Sequence, residues 1–226
     1  MSLEYDYIIA GGGSAGCVLA SRLANKSKDS ICLVEAGGSG KNLFIKMPAG
    51  NGFIFGNPKF DWGYHSVKQA QLNNRKIYFA RGKGLGGTSI VNGMVYIRGV
   101  AQDYDNWRQM GLDGWGYSDL LPYFKYSEGS TNRQNKFHGN QGPLKVEPAR
   151  NFSVLDEAFI KAAVDTGHEF LDDFNANKRA GVSRIDSTTY RGVRQSSAIS
   201  YLFSIILRTS SSSFLSYFIF SYFSNR

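Results

Sequence analysis

The sequence contains few residues of the kinds that bind metals or form disulfides. Its two cysteines, Cys17 and Cys32, lie in different predicted elements, and its three histidines, His65, His138 and His168, stand apart from one another. Neither cysteine has the spaced cysteine or histidine partners that zinc requires, and two such cysteines provide no disulfide framework. We therefore expect no metal site, two buried free thiols and a location in the reducing cytoplasm.

Long apolar runs are also absent. The N-terminal residues contain no apolar segment of signal-peptide length. The most apolar stretch, Phe214 to Phe223, has ten residues and is interrupted by Ser216 and Ser221. A helix that spans a membrane needs about 20 predominantly apolar residues. We therefore expect no membrane association.

The chain has a surplus of basic residues but no concentrated basic patch. The formal net charge is +8 and the pI is about 9.4. The lysines and arginines are scattered, with small groups such as Arg75, Lys76, Arg81 and Lys83. Recognition of nucleic acid needs basic residues gathered on one face or helix. We expect no nucleic-acid partner, and interpret these four residues as a solvated face that helps to attract an anionic cofactor.

A glycine-rich turn near the N-terminus is the first positive signal. Gly11 to Gly16 follows the apolar run Tyr7 to Ala10 and precedes apolar residues at helical spacing, so the predicted order is strand, turn and helix. In a dinucleotide-binding turn, Gly11 permits the bend, Gly13 lets a pyrophosphate approach the backbone, and Gly16 lets the helix pack on the strand. Free N–H groups at the helix N-terminus then face the phosphates. The expected packed face of the helix consists of Ala15, Val18, Leu19 and Leu23.

A carboxylate follows at the end of the second predicted strand. Ser30 to Glu35 has the composition of a strand, and Glu35 lies nineteen residues after Gly16. An acid at this distance accepts hydrogen bonds from the adenosine ribose hydroxyls and repels a 2′-phosphate. Residues 1–35 therefore predict a βαβ unit of an α/β protein that binds FAD or NAD rather than NADP.

A second glycine-rich segment, Gly82 to Ser89, lies about seventy residues further on. Gly86 and Gly87 let the chain pass close to a dinucleotide, and the hydroxyls of Thr88 and Ser89 can donate to phosphate oxygens. This part of the chain resembles the first signature of the glucose-methanol-choline (GMC) oxidoreductases. The matching positions are Gly82, Lys83, Leu85, Gly86, Gly87, Thr88, Ser89, Val91, Asn92, Tyr96, Gly99 and Asp105.

The resemblance runs from about Tyr5 to Leu202 and is nearest to the choline dehydrogenase-like branch. It implies an α/β fold, a FAD/NAD(P)-binding Rossmann-like domain of the GMC type that is incomplete in this chain, with FAD as the cofactor. It also implies oxidation of the CH–OH group of a small-molecule alcohol by hydride transfer to flavin N5. Dioxygen or a quinone-type compound would be the electron acceptor. The family's catalytic base is a histidine far toward the C-terminus, so we name no catalytic residue here.

The motifs and the resemblance together predict the cofactor-binding residues. Family members contact the isoalloxazine largely through backbone atoms that follow the second glycine segment, and Asp61 to Tyr64 resembles a segment that packs near the flavin. The expected cofactor-binding residues are Gly11, Gly13, Ser14, Ala15, Gly16, Glu35, Ala36, Trp62, Gly86, Gly87, Thr88, Asn92, Gly93, Met94 and Val95.

The predicted domain organisation has three parts. Residues 1–150 are the N-terminal part of the FAD-binding domain, and residues 151–202 begin a substrate-side or connecting region that opens with a helix capped by Ser153. Residues 203–226 form a non-family tail. The tail has eight serines, seven aromatic residues and no acidic residue, a composition that suggests a shifted reading frame or an unspliced segment.

Two alternatives to an active alcohol oxidoreductase stay open. One is a catalytically inactive, truncated FAD-binding fragment. The other is an NAD-dependent dehydrogenase, which explains Gly11 to Glu35 but leaves Gly82 to Asp105 without a role.

Overall fold

The computed structural model describes residues 4–150, 152–178, 180–209 and 218–221. The chain forms two compact units: the first consists of Met1–Gly93 and Arg191–Arg226, and the second of Met94–Tyr190. This division differs from the predicted boundary at residue 150, because the chain after Gly93 builds a sheet of its own. Spatial compactness and the extent of a cofactor-binding domain are different properties, so the three-part organisation stays a prediction.

The helices and strands follow one another along the chain with the following bounds: β1 Tyr7–Ala10, α1 Ser14–Lys26, β2 Ile31–Glu35, α2 Leu43–Lys46, α3 Asn51–Ile54, β3 Tyr64–His65, β4 Tyr78–Phe79, β5 Val95–Tyr96, α4 Ala101–Gln109, α5 Tyr117–Ser127, β6 Glu128–Ser130, β7 Leu144–Pro148, α6 Val154–Asp165, β8 Asp186–Ser187, β9 Thr189–Tyr190, β10 Val193–Arg194, α7 Phe203–Thr209 and β11 Phe218–Ser221. Short 3-10 helices also form at Pro48–Gly50, Ala70–Leu72 and Gly87–Ile90, and a π-helix forms at Ala198–Leu202.

The first unit contains a parallel three-stranded sheet in the order β1-β2-β11. In the middle strand, Ile31 lies opposite Tyr7 of β1, and Cys32 lies opposite Phe218 of β11. Four of the five residues of β2 are buried, which is typical of a central parallel strand with both faces covered. Because α1 connects β1 to β2, the predicted βαβ unit is confirmed.

The face of α1 that packs matches the one that the apolar spacing predicts only in part. Cys17 and Ala20 are buried in one cluster with Ile9 and Leu33. Leu19, which the prediction placed on the packed face, is 50% exposed. Leu23, further along the helix, packs against this cluster as predicted. Near the glycine turn the helix lies so close to the strand that small side chains fill the contact.

A second apolar cluster in the first unit gathers short elements that are far apart in sequence. Ile45 of α2, Ile54 of α3 and Phe60 pack with Ile90 and Val91. Ile90 ends the 3-10 helix of the second glycine segment. The cluster therefore anchors that segment by burying the residues that follow its glycines.

The second unit contains a four-stranded sheet in the order β5-β8-β7-β6. Strand β8 pairs antiparallel with β5 and β7, while β6 and β7 are parallel. Helix α6 begins after Ser153, whose Oγ accepts a hydrogen bond from Asp156 N–H and whose N–H donates to the Asp156 carboxylate. This capping box confirms the predicted helix start.

The predicted tail is only partly described. Helix α7 ends at Thr209, and β11 pairs with β2. Residues 210–217 and 222–226, with most of the apolar stretch Phe214 to Phe223, lie outside the described residues. Within the part of the chain that the structure describes, no helix combines the length and the apolar composition that a membrane span requires.

A buried histidine lies between two carboxylates in the second unit. The Nδ1 atom of His138 is 2.7 Å from Glu128 Oε1, and its Nε2 atom is 2.8 Å from Asp173 Oδ2. Burial alone lowers the pKa of His138, but the hydrogen bonds and charges of Asp173 and Glu128 outweigh it and raise the pKa to about 9. Burial likewise opposes ionisation of Asp173, yet the bond to His138 holds the pKa of that carboxyl below its usual value.

Two arginines complete this charge network. Arg98 Nη2 lies 2.5 Å from Glu128 Oε2, and Arg133 Nε lies 2.5 Å from Asp186 Oδ2. With His138 protonated, its charge and those of the two arginines balance the carboxylates of Glu128, Asp173 and Asp186. A neutral imidazole would leave one carboxylate without a compensating charge, which burial makes unfavourable. Charge balance therefore agrees with the raised pKa.

We expect the free energy of unfolding to fall as the pH rises from about 6.5 to about 9. A folded-state pKa above the unfolded value stabilises the fold fully below pH 6.5, and this contribution is lost as the pH passes through the folded-state value. The loss should be on the order of 1–3 kcal/mol. Urea unfolding across this range, on the wild type and on His138→Gln, measures it. An equally steep decline in the variant would contradict the assignment to His138.

Candidate cofactor-binding site

The first glycine turn has one closely packed side and one open side. Gly11 has a φ of 94°, and its N–H donates to the carbonyl of Val34 at 2.8 Å. A Cβ at Gly16 would lie 1.9 Å from the Gly11 carbonyl oxygen, so a side chain there cannot be accommodated without movement. Nothing lies within 4 Å of a Cβ placed at Gly11 or Gly13. The open side provides the close backbone approach that a pyrophosphate requires.

Helix α1 starts at this turn with its N-terminus uncapped by any side chain. Gly13 is the N-cap residue, the first helical turn contains no acid, and Ser14 and Ala15 are exposed. The first N–H groups of a helix have no acceptor within the helix, and the positive end of the helix dipole favours an anion. Backbone donors, positive potential and open space together fit a diphosphate group.

Glu35 ends β2, as predicted, and is 7% exposed. Its Oε2 accepts a hydrogen bond from Gly12 N–H at 2.7 Å, and its Oε1 accepts one from Gly37 N–H at 2.8 Å. The carboxylate thus joins the glycine turn to the loop after β2. Because each carboxylate oxygen can accept a second bond, Glu35 keeps capacity for ribose hydroxyls.

The two glycine segments are in direct backbone contact. Gly86 N–H donates to the Gly12 carbonyl at 2.7 Å. A Cβ at Gly87 would lie 2.7 Å from the Cα of Gly13. Gly86 and Gly87 have φ values of 100° and 52°, a region that favours glycine. Thr88 follows within the same 3-10 helix. Two segments that the sequence separates therefore form one continuous surface.

A cavity of about 750 Å³ lies next to the end of β2. Ala36 and Trp62 line it, together with Lys41, Lys59 and Lys83. Trp62 is 42% exposed, and the Lys83 Nζ atom lies 4.9 Å from the centre of its ring. Aromatic surface combined with three cations suits a planar, anionic ligand.

Asp61 positions the loop that carries this tryptophan, although no motif in the sequence assigns it that role. Burial alone raises the pKa of Asp61, but the hydrogen bonds that it accepts outweigh burial and lower the pKa to about 2. In the sequence, the only sign that Asp61 organises this loop is that an acid lies among glycine and aromatic residues. The donors are the N–H groups of Gly56, Gly63 and Arg81, at 3.0, 3.0 and 3.1 Å, and the hydroxyl of Tyr78.

The residues predicted to flank the flavin are divided between the two units. In the first unit, Asn92 and Gly93 are exposed, and Asn92 N–H donates to the Thr88 carbonyl at 3.0 Å. In the second unit, Met94 is buried and Val95 is 49% exposed. Met94 has a φ of 62°, and such strain costs about 1–3 kcal/mol and is typical of ligand sites. The cofactor contacts of these four residues stay predictions.

One histidine is buried in a charge network, and the other two are exposed. Both ring nitrogens of His138 bond to carboxylates, whereas His65 and His168 are exposed. Residues 4–150, 152–178 and 180–209 contain no group of histidine, cysteine, aspartate and glutamate side chains that could hold a metal ion. The two cysteines are free and buried, as predicted, and burial raises the pKa of Cys17 to about 11.

Comparison with known protein families identifies the family to which this chain belongs. The GMC oxidoreductase family matches residues 5–216, which include both glycine segments. The chain belongs to the GMC oxidoreductase family. The match confirms the resemblance in the sequence and extends past Leu202, where the prediction ended it.

Individual relatives show what share of a family member's length this chain covers. The oxygen-dependent choline dehydrogenase of Sinorhizobium fredii is 44% identical over 200 residues, which are 88% of this chain and 36% of that protein. Pyridoxine 4-oxidase from Mesorbium loti has a TM-score of 0.86 at 32% identity, over 96% of this chain and 42% of its own. An FAD-dependent oxidoreductase from Chaetomium thermophilum has a TM-score of 0.82 at 29% identity, over 95% and 38%.

The chain therefore spans between 36% and 42% of the length of these relatives. Their structures confirm the α/β fold of the GMC type. The family and these neighbours indicate FAD as the cofactor, which disfavours the NAD alternative.

Two alanine variants separate the packed side of the turn from its open side. Gly16→Ala forces a Cβ against the Gly11 carbonyl, so we expect the free energy of unfolding to fall by about 1–3 kcal/mol. Gly13→Ala places a Cβ in open space at a φ of −71°, so stability should change by no more than about 0.5 kcal/mol. The same variant should weaken FAD binding about tenfold or more.

Urea unfolding and FAD titration measure these two effects. If Gly13→Ala bound FAD as tightly as the wild type, the open side of the turn would not be the pyrophosphate site.

Proposed function

We propose that this chain is the FAD-binding part of an oxidoreductase that oxidises the CH–OH group of a small-molecule alcohol. The observation that supports it is the hydrogen bond from Gly86 N–H to the Gly12 carbonyl, which joins the two glycine segments into one surface. A βαβ unit that binds NAD would account for the first glycine segment but not for the second. The match to the GMC family covers both segments.

Each predicted residue has a proposed role in holding FAD. The turn and the start of α1 donate backbone N–H groups to the pyrophosphate, Glu35 accepts from the adenosine ribose, and the second glycine segment approaches the pyrophosphate from its other side. The residues proposed to meet the pyrophosphate are Gly13, Ser14, Ala15, Gly86, Gly87 and Thr88, while Gly11 and Gly16 shape the turn that presents them. Ala36 and Trp62 line the adjoining cavity. Asn92, Gly93, Met94 and Val95 are proposed to flank the isoalloxazine.

The chemistry divides between the cofactor and the protein. When bound, FAD supplies the acceptor at N5 for the hydride that leaves the carbinol carbon. The residues of this chain bind and orient the cofactor and exclude water from its backbone-lined face. A base must also take the hydroxyl proton. His138 does not fit that role, because both of its ring nitrogens are bonded to carboxylates.

The substrate is proposed only as a class. The relatives are named for choline and for pyridoxine, so their names share no single substrate. We propose a small-molecule alcohol, with dioxygen or a quinone-type compound as the electron acceptor. The cytoplasmic location stays a prediction.

A second candidate function is FAD binding without turnover by this chain alone. The surroundings of the histidines favour it, since His138 is bonded on both sides and His65 and His168 are exposed. A purified chain mixed with FAD, a redox dye and a series of small alcohols including choline separates the two candidates. Alcohol-dependent dye reduction would overturn the second, whereas bound flavin with no dye reduction would support it.

Replacing Glu35 tests the cofactor site directly. Glu35→Gln puts an amide donor against Gly12 N–H or Gly37 N–H, so we expect FAD affinity to fall about tenfold or more and stability to fall by about 1–3 kcal/mol. Quenching of flavin fluorescence measures the affinity. Asp29→Asn, the same charge change in the turn before β2, is the matched control and should behave like the wild type. A folded wild-type chain that retains no flavin after incubation with excess FAD and removal of the free cofactor would refute the proposed function.

A further inference from the structure

Arg194 is the largest fully buried side chain of the described residues. Its guanidinium bonds to three parts of the first unit: Nε donates to the Ile45 carbonyl at 2.9 Å, and Nη2 donates to Asn51 Oδ1 at 2.6 Å. Nη1 donates to the carbonyl and to Oδ1 of Asn92, at 2.7 and 2.8 Å. One side chain thus connects α2, α3 and the segment after the second glycine run.

The surroundings of Arg194 differ from those of the arginines in the second unit. Burial alone accounts for a pKa lowered to about 10, and none of the carboxylates in the described ranges forms an ion pair with it. Burying a charge that only neutral acceptors surround is costly. Among natural side chains, only a guanidinium offers donors in a planar fork that can reach acceptors in three directions.

Asn92 needs such a support because packing does not hold it. It is exposed, although Val91 before it is 1% exposed and fixed in the core. Its carbonyl accepts from Arg194 and, at 3.4 Å, from Asn51 Nδ2. Hydrogen bonds to both its backbone and its side chain therefore set the orientation of the peptide that leads to Gly93.

The residues next to Arg194 support the same loop. Ser197 N–H donates to Ser89 Oγ at 2.9 Å, and that hydroxyl donates to the Gly86 carbonyl at 2.5 Å. The stretch from Arg194 to Ser197 thus braces the second glycine segment at its glycines and at its end.

We propose that Arg194 is a positioning residue for the flavin, acting through Asn92. It holds the Asn92–Gly93 backbone in the conformation that meets the isoalloxazine ring. The turn at Gly11 to Gly16, Glu35 and the glycines at 86 and 87 hold the ADP half of the cofactor, and the hydrogen bonds of Arg194 go instead to Ile45, Ser89, Asn51 and Asn92. This inference rests on the proposed function.

Comparing FAD with ADP tests the proposal on the full chain, because ADP lacks the flavin. For Arg194→Met we expect FAD affinity to fall about tenfold or more and ADP affinity to stay within about twofold of the wild type. The visible spectrum of bound FAD should also lose its resolved shoulders. Arg194→Lys, which keeps a donor and the charge, should recover part of the FAD affinity.

Two further variants control for stability. Ile54→Val loosens the same apolar cluster without touching a hydrogen bond of Asn92, and it should leave the ratio of FAD to ADP affinity unchanged. Asn51 is half-buried, and Asn51→Ala leaves Arg194 in place. This variant should lower the affinity for FAD but not for ADP, and by less than Arg194→Met does. It stays informative if Arg194→Met fails to fold.

Equal losses of FAD and ADP affinity in folded Arg194 and Asn51 variants would overturn the positioning role. A wild-type chain that binds neither FAD nor ADP would instead refute the proposed function.

Discussion

The site depends on one backbone contact, the hydrogen bond between Gly86 N–H and the Gly12 carbonyl. It requires glycine on both segments: the position of a Cβ at Gly87 is taken by Gly13, and a Cβ at Gly12 would lie 2.6 Å from the side chain of Leu85. Two loops stacked in this way expose N–H groups rather than side chains. The surface that results is suited to a polyanion because of its backbone, so no basic residue has to lie within it.

The two units bury charge by different means. In the second unit, His138 and the arginines face carboxylates, and the network is close to neutral. In the first unit, Arg194 is surrounded by carbonyl groups. A balanced network fixes a fold and responds to pH through its histidine. A lone guanidinium among carbonyls responds little to pH, and it is sensitive instead to the exact orientation of the peptides around it.

The sequence was most informative where geometry requires glycine. Gly11, Gly16 and Gly86 could be predicted because no other residue fits a tight turn or a backbone contact. The packed face of α1 could not, since the choice of Ala20 over Leu19 depends on how close the helix lies to the sheet, which the apolar spacing does not encode. Arg194 escaped prediction for a related reason: a single arginine in a polar stretch has no periodicity, and its three acceptors come from distant parts of the chain.

Strand β1 has a partner on one side only, because the sheet of the described chain has the order β1-β2-β11. The strand also carries two exposed apolar side chains, Tyr7, 44% exposed, and Ile8, 70% exposed. An open edge of this kind, short but apolar, is a template for any other strand that comes near it. This edge leads directly into the glycine turn, since β1 ends at Ala10, so a strand that paired with it would lie beside the proposed pyrophosphate site.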